Sequence, residues 1–301
     1  MRLILTSVLL VFFSKSFAQG YLEGVNLGYD LIPLKINGPA GNQSFTASNF
    51  KLSDVVPVYL KPDKSQYLVF GLNIESMTFS GNHPNLPVTA FYGISPILGY
   101  CRQVNQRLNL SAILIPFLNS DLAVVNSSDF HFGGIVRGIY HVKDNFSIKV
   151  TLGYRKQFYG SQFIVFLGFD WKISNKWRAF GDLPNNATLC YNVKSKINAG
   201  INYSSGGYTT YDLTEHQHYI LYNFAQPGLF VEYYVTPHLA IRGTIAYSFL
   251  RNLDIYNMNQ KVSGVIDYIP LSTNPIALNP EVSNGPSFKL TLSWRIPDNK
   301  K

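Results

Sequence analysis

Two histidines, His216 and His218, are the closest approach to a metal site in this sequence. An extended segment would place both imidazoles on one face, because side chains alternate along a strand. A protein zinc site needs at least a third ligand, and only Glu215 is near in sequence. We therefore interpret the pair as a polar cluster at a loop edge, and the sequence predicts neither a metal nor a cofactor.

The other histidines have no catalytic motif around them. His131 and His141 lie in a polar segment without the Gly-x-Ser-x-Gly context that presents a nucleophilic serine. Gly133-Gly134 is not followed by the helix that a phosphate loop requires, so close strand packing explains it better. The chain is therefore predicted not to be an enzyme. A hydrolase of membrane lipids is kept as the less favoured alternative.

The composition points to a β-rich chain with little charge on its surface. Hydrophobic residues make up 46% of the 301 residues, aromatic residues 15% and charged residues only 14%. A disordered chain is poor in aromatic residues and rich in charge, so this class is excluded. The charges are scattered without basic runs, which argues against nucleic acid as a partner.

Residues 1–18 have the pattern of a secretory signal peptide. Arg2 gives a positive start, 3–13 are mostly apolar, and small residues precede a cleavage point after Ala18. The apolar run is too short to anchor the chain in a membrane. We predict a signal peptide at 1–18 with Sec-type export, followed by one domain at 19–301.

A repeated turn pattern divides the rest of the chain. It consists of an aromatic residue, any residue, a β-branched aliphatic residue, about three polar residues and a large apolar residue. Copies begin at Tyr140, Trp171, Tyr191 and Tyr233, with a looser copy at Tyr100 and half a copy at Trp294. Clusters of polar turn residues between apolar segments are typical of strand connections.

The segments beside these turns alternate between apolar and polar residues. In 146–155 every second residue from Phe146 to Tyr154 is apolar, and 287–296 repeats the pattern from Phe288. Alternation with period two indicates a strand, and no helix face fits it. About ten residues also suits a tilted strand that crosses a bilayer.

A transmembrane barrel accounts for these features better than a soluble β-sandwich or a lipocalin-like barrel. The aromatic residues keep a fixed offset from the short turns, as an interfacial girdle requires. Long loops are predicted near 33–47, 80–87, 119–128, 204–216 and 251–285.

The predicted fold class is all-β: a single transmembrane antiparallel β-barrel with short periplasmic turns and long extracellular loops. The turns predict about 14 strands, in seven pairs of one strand leaving the short-turn end and one strand returning to it. The leaving strands start near 21, 66, 107, 146, 177, 197 and 238. The segments 177–183 and 187–193 are short, and the count falls to 12 if they form a loop instead.

Alternation from the aromatic residues assigns two sets of side chains. The predicted periplasmic girdle is Tyr100, Tyr140, Trp171, Trp177, Tyr191, Tyr233 and Trp294. The predicted lumen-lining charges are Asp30, Glu75, Arg137, Lys149, Arg155, Asp170, Glu232, Arg242, Lys289 and Arg295. Six of these ten are basic, which predicts a small positive excess in the lumen. Apolar residues predicted to point inward, which would narrow the lumen on one side, are Phe91, Ile97, Ile113, Ile115, Phe117, Ile135, Ile139, Ile164 and Phe166.

The two cysteines stand beside girdle tyrosines. Cys101 follows Tyr100 and Cys190 precedes Tyr191, so both are predicted to face the interior near the periplasmic end. The strands are far apart, and free buried thiols are favoured over a bridge across the interior.

The signal ending in Ala-Gln, the Tyr/Trp-x-Val/Ile turns and the run from Trp177 to Pro184 resemble outer-membrane barrels of Bacteroidota. In particular, they are similar to a family of about this length known only as a domain of unknown function. The resemblance implies a location in the Gram-negative outer membrane, in contact with its lipid, and it carries no catalytic residues.

Two functions are expected from this architecture. The first is a passive channel or uptake pore for a small-molecule solute, and the alternative is a structural or assembly component of a secretion or surface system. The sequence offers no energy-coupling box, which disfavours an active transporter. It leaves the solute, the oligomeric state and the protein partners open.

Overall fold

The computed structural model of the chain describes residues 21–38, 41–81, 89–213, 217–262, 264–267, 269–272 and 275–297. The predicted signal peptide lies outside these residues. Within them the structure is almost entirely strand, with a single short 3-10 turn at Ser127–Asp129. No helix of the described part is long and apolar enough to cross a membrane.

The strands follow one another along the chain. The first eight are β1 (Tyr21–Gly38), β2 (Gly41–Tyr59), β3 (Gln66–Gly81), β4 (Ala90–Gln103), β5 (Leu108–Ser120), β6 (Phe130–Lys143), β7 (Phe146–Gln157) and β8 (Gly160–Lys172). The next six are β9 (Trp177–Leu183), β10 (Asn186–Lys194), β11 (Ile197–Leu213), β12 (His218–Tyr234), β13 (Leu239–Ser248) and β14 (Leu250–Asn257). Two-residue strands β15 (Val265–Ile266) and β16 (Ile269–Pro270) precede β17 (Gly285–Pro297).

Within the described residues, fourteen strands, β1–β13 and β17, form the wall of a closed antiparallel barrel. Each wall strand pairs with the next, and β17 pairs with both β13 and β1, which closes the ring. β14 follows β13 and pairs with residues 218–225 of β12, so β13 and β14 form one long wall strand. The prediction of 14 strands is confirmed. The alternative of 12 is wrong, because β9 and β10 pair with each other and with β8 and β11.

Apolar side chains cover the outer face of the wall and polar side chains line the inner face. On β7, the outward positions Ile148, Val150 and Leu152 are 42%, 43% and 55% exposed, whereas Ser147, Lys149 and Thr151 between them are buried. This is the reverse of a soluble barrel, in which water contacts the outside. It is the arrangement of a barrel whose outer face contacts lipid.

Three segments that the sequence predicts as parts of long loops are strands. Most of 33–47 extends β1 and β2, 204–213 extends β11, and 251–257 lies in β14. Pro33 does not interrupt β1, because the described pairing of β1 with β17 ends at Leu31 and the next strand contact on that side is the isolated bridge of Ile36 to Val282. Proline is tolerated at a sheet edge, since its missing N–H is not needed there.

The β9–β10 hairpin is shorter than the strands on either side. β9 has 7 residues and β10 has 9, against 13 in β8 and 17 in β11. Near the start of β8, its edge is covered by β15 instead. The two strands are parallel, and Val265 pairs with Gln162 and Ile266 with Phe163. The wall between β8 and β11 is therefore built from two different parts of the chain.

Replacing Leu152 with arginine tests which face contacts lipid. We expect Leu152→Arg to lower the free energy of unfolding by about 2–4 kcal/mol, because a charge near the bilayer midplane is costly. Ser95→Arg, an inward position on β4, should cost clearly less. Urea unfolding from lipid vesicles measures both, and equal losses would contradict the assignment of the two faces.

Candidate functional site

The outer ends of three strands bend over one end of the barrel. Asp212, near the end of β11, pairs in parallel with Ser120 of β5, although five wall strands separate β11 from β5. The Asn119 side chain donates a hydrogen bond to the Thr210 carbonyl at 3.0 Å. We call these strand ends the lid, which consists of residues 209–213, 218–225 and 250–257.

A cluster of buried apolar side chains holds the lid against β1–β4. We call it the mouth cluster, which consists of Ile32, Leu34, Ile36, Phe45, Ala47, Met77, Phe79, Phe91, Tyr211, Leu213, Ile220, Tyr222, Leu253, Ile255 and Val282. The rings of Phe91 and Tyr211 meet with centroids 4.1 Å apart. Burying each large apolar side chain stabilises the closed arrangement by about 1.5–3 kcal/mol. The barrel is therefore closed at this end by a hydrophobic core.

The turn between β7 and β8 supports the lid from the other side. Phe158 and Tyr159 pack against lid tyrosines and against Val262 of the following loop. Gly160 has a φ of +143°, and a Cβ there would lie 2.7 Å from the Val262 carbonyl oxygen, so the turn requires glycine. Lys261 donates to the Phe158 carbonyl, and burial lowers the pKa of this lysine.

Beneath the lid the barrel contains a cavity of about 350 Å³. Its apolar lining includes Ile115, Phe117, Ile135 and Ile164, all among the residues predicted to point inward. Its polar lining includes Lys51, Glu75, Asn119, Arg155 and Tyr211. The cavity combines an apolar wall with a few polar groups, which is the usual character of a small-molecule site.

The ten charges predicted to line the lumen occupy inward positions, and most form ion pairs. The pairs are Asp30–Lys289 at 3.6 Å, Glu75–Lys51 at 2.8 Å, Asp170–Arg178 at 2.9 Å, Asp182 with Arg137 at 3.6 Å and Lys149 at 3.5 Å, and Glu232 with Arg242 at 2.6 Å and Arg295 at 2.7 Å. Arg155 donates to the Gln162 side chain. The paired residues lie on strands at most three apart around the wall, so these ion pairs line the lumen without bridging its centre.

Three of these partners were missed from the sequence. Lys51 lies on β2, whose start was predicted as loop, and Arg178 and Asp182 lie on the short strand β9. Alternation from Trp177 places Arg178 and Asp182 inward, so the signal was present there. With these three residues the inner wall holds eight basic and five acidic side chains among the residues described above.

The predicted girdle residues lie at the end of the barrel opposite the lid, next to the short turns. Tyr100, Tyr140, Trp171, Trp177, Tyr233 and Trp294 are exposed on the outer face, and Tyr191 is half-buried. The Trp177 and Tyr191 rings pack with centroids 4.7 Å apart. Their contact with a membrane interface stays a prediction.

Three of the residues first considered for chemistry, Cys101, Cys190 and His218, lie in the described part of the chain. Cys101 is buried, Cys190 is half-buried, and both are free. The His218 ring hydrogen-bonds Asn257 at 3.0 Å, and Glu215 and His216 lie outside the described residues. No group of three or more potential metal-ligating side chains occurs in the part of the chain that the structure describes.

Three hydrogen-bonded side chains, Ser147, His141 and Asn109, follow the order of groups in a serine hydrolase. His141 Nδ1 lies 2.8 Å from Ser147 Oγ, and its Nε2 lies 3.1 Å from Asn109 Nδ2. Ser147 is only 5% exposed, and it is not among the residues that line the cavity beneath the lid. A nucleophile must reach its substrate, so we interpret this chain as part of the packed interior.

The apolar outer face, the polar lumen and the cavity beneath a closed end together define a transmembrane β-barrel. Residues 44–275 match the family described as Domain of unknown function (DUF6268). The chain belongs to this family. No curated protein sequence matches it.

Several solved structures are similar to this chain at low sequence identity. The toluene transporter TodX of P. putida has a TM-score of 0.46 at 8% identity, covering 92% of this chain and 90% of that one. An outer membrane channel from Pseudomonas putida F1 has a TM-score of 0.45 at 7% identity, with coverages of 94% and 97%. The NanC porin has a TM-score of 0.40 at 10% identity, with coverages of 91% and 100%.

Proposed function

We propose that this protein is an outer-membrane channel that lets a small solute pass down its concentration gradient. The observation that carries the proposal is the cavity of about 350 Å³ beneath the lid of a barrel whose inner wall carries polar and charged side chains. A structural barrel needs no such space, and interior side chains could fill it. Under this proposal, passage requires that the lid separates from β1–β4.

The location in the cell is part of the same proposal. The signal peptide at 1–18 supports Sec-type export, and the domain at 19–301 would then fold into the outer membrane of a bacterium of the Bacteroidota. The short turns at the end that carries these aromatic residues support a periplasmic position for that end. The lid then faces the outside of the cell.

The inner wall supports a weak preference for anions. The thirteen inner-wall charges named above, eight basic and five acidic, leave a positive excess, and a low-dielectric channel focuses the field of that excess. This proposal includes the prediction that the ten charges assigned from the sequence line the path that the solute follows.

Reversal potentials in a planar bilayer under a KCl gradient test both conduction and selectivity. We expect open events with a reversal potential on the anion-selective side, shifted toward cations by Arg155→Glu, which changes one cavity charge by two units. Arg107→Glu, the same change in an exposed short turn, should shift it much less. The absence of any conductance would contradict the channel. Cation preference in the unmodified protein would contradict the charge assignment.

The structural or assembly role is the second candidate, and one observation favours it. The mouth cluster closes the barrel, and the charges of the inner wall are largely paired, as expected of a barrel that is packed for stability. Under this alternative the protein shows no conductance with the lid displaced, and a partner protein co-purifies with it from native membranes.

A further inference from the structure

The apolar side of the cavity is continuous because of one glycine. Gly153 of β7 stands between Ile135 of β6 and Ile164 of β8 on the inner wall. A Cβ at this position would lie 2.6 Å from Ile135 Cγ2 and 3.3 Å from Ile164 Cβ. The glycine therefore lets the two isoleucines approach each other, and they form one apolar surface with Ile115 and Phe117.

The polar side of the cavity carries a net positive charge. The ionic residues among its lining are Lys51, Glu75 and Arg155, which sum to one positive charge. Glu75 accepts from Lys51 at 2.8 Å and from the Asn49 side chain at 2.9 Å. Its charge is thus compensated locally. Arg155 donates to the Gln162 side chain on β8.

A second glycine makes room for Arg155. Gly133 lines the cavity on β6, opposite Arg155 in the strand pairing, and a Cβ there would lie 2.9 Å from Arg155 Cβ. Arg155 therefore lines the same cavity as the apolar surface. Arginine is the side chain best suited to bind a carboxylate, because its planar fork donates two parallel hydrogen bonds.

We propose that this cavity is a binding site for a small amphipathic monocarboxylate, an organic acid with one carboxylate and a compact apolar body. The carboxylate lies toward Arg155 and the apolar body lies against the four apolar residues. The cavity volume of about 350 Å³ is at the low end of the range of about 300–1,000 Å³ for small-molecule sites, which excludes a long acyl chain. The proposal rests on the proposed channel function and names its solute class.

Equilibrium binding to the full-length protein in detergent micelles tests the site without requiring conduction. The probes are hexanoate, hexanol and hexylamine, which share one apolar chain and differ in charge, with empty micelles as the blank in calorimetry. We expect hexanoate to bind about tenfold more tightly than hexylamine. Arg155→Gln should reduce the hexanoate affinity to about that of hexanol, and Glu75→Gln should increase it.

Two further variants separate specific binding from partition into the micelle. Ser95→Phe places a ring inside the cavity and should abolish saturable binding of all three probes, whereas Arg107→Gln in a short turn should leave it unchanged. Equal or tighter binding of hexylamine, or hexanoate binding that survives Ser95→Phe, would overturn the site. If hexanoate binds but no variant conducts, the site stands and the channel function fails. If the channel conducts but hexanoate does not bind, only the site fails.

Discussion

Leu253→Asp is expected to increase the single-channel conductance of the protein by about tenfold or more, because it opens the lid. Leu253 lies on the lid, is 1% exposed and belongs to the mouth cluster. A carboxylate is strongly disfavoured in an apolar core and gains hydration when the lid separates from β1–β4. A shift of only about 1.4 kcal/mol between closed and open lids changes their ratio tenfold.

Recordings in a planar bilayer measure this effect, and Asn259→Asp is the matched control. Asn259 is exposed in the loop after β14, so the same negative charge is added near the lid without entering the mouth cluster. The control should conduct like the unmodified protein. An unchanged conductance in Leu253→Asp would mean that the lid is not the barrier.

A reversible cross-link can show that the increase comes from lid movement and not from general loosening. Ser120→Cys with Asp212→Cys joins β5 to the lid at the positions that pair in the structure. Cys101 and Cys190 are replaced with serine to remove competing thiols. In the Leu253→Asp background, oxidation should return the conductance to the low level and a reductant should restore the high one.

Glu232→Gln is expected to lower the free energy of unfolding by about 3–5 kcal/mol, the cost of removing one partner from a buried ion cluster. Glu232 is 1% exposed, and its carboxylate binds Arg242 of the neighbouring strand β13, Arg295 of β17 and the Asn198 side chain of β11. The change leaves two guanidinium groups next to each other without their carboxylate. Urea unfolding from lipid vesicles measures the loss.

The control for this effect is a looser ion pair on the same inner wall. Asp30→Asn breaks the pair with Lys289, in which the lysine side chain is 41% exposed and the atoms are 3.6 Å apart. Water competes for such a pair, so the expected loss is about 0–1 kcal/mol. Comparable losses in Glu232→Gln and Asp30→Asn would show that the inner wall is hydrated throughout.

The wall of the barrel could be predicted from the sequence because its pattern is local. Alternation along β7 and β17 fixes which residues point inward, and the turn copies fix where each strand begins. Lys149 and Arg295 were assigned to the inner wall in this way, and both are buried there. The count of fourteen strands follows from the same two signals.

The lid could not be predicted because it depends on contacts between distant segments. The residues of 204–213 contain glycine, serine and threonine, which predict a loop when only neighbours in sequence are considered. They form a strand because they pair with β12, and Tyr211 packs on Phe91 of β4. The cavity depends on this long-range packing, so its volume and its polar side were not evident from alternation alone.

The way in which β17 closes the ring has a consequence for how the protein is assembled. Asn26 of β1 and Ser293 of β17 hydrogen-bond across the closure although they are 267 residues apart in sequence. Before β17 pairs, both β1 and β13 present a row of backbone N–H and C=O groups that lipid cannot satisfy. Exposed edges of this kind also pair with other chains. The ring can therefore close only when the last strand of the chain is present, and until then the facing edges of β1 and β13 have no partner within the barrel.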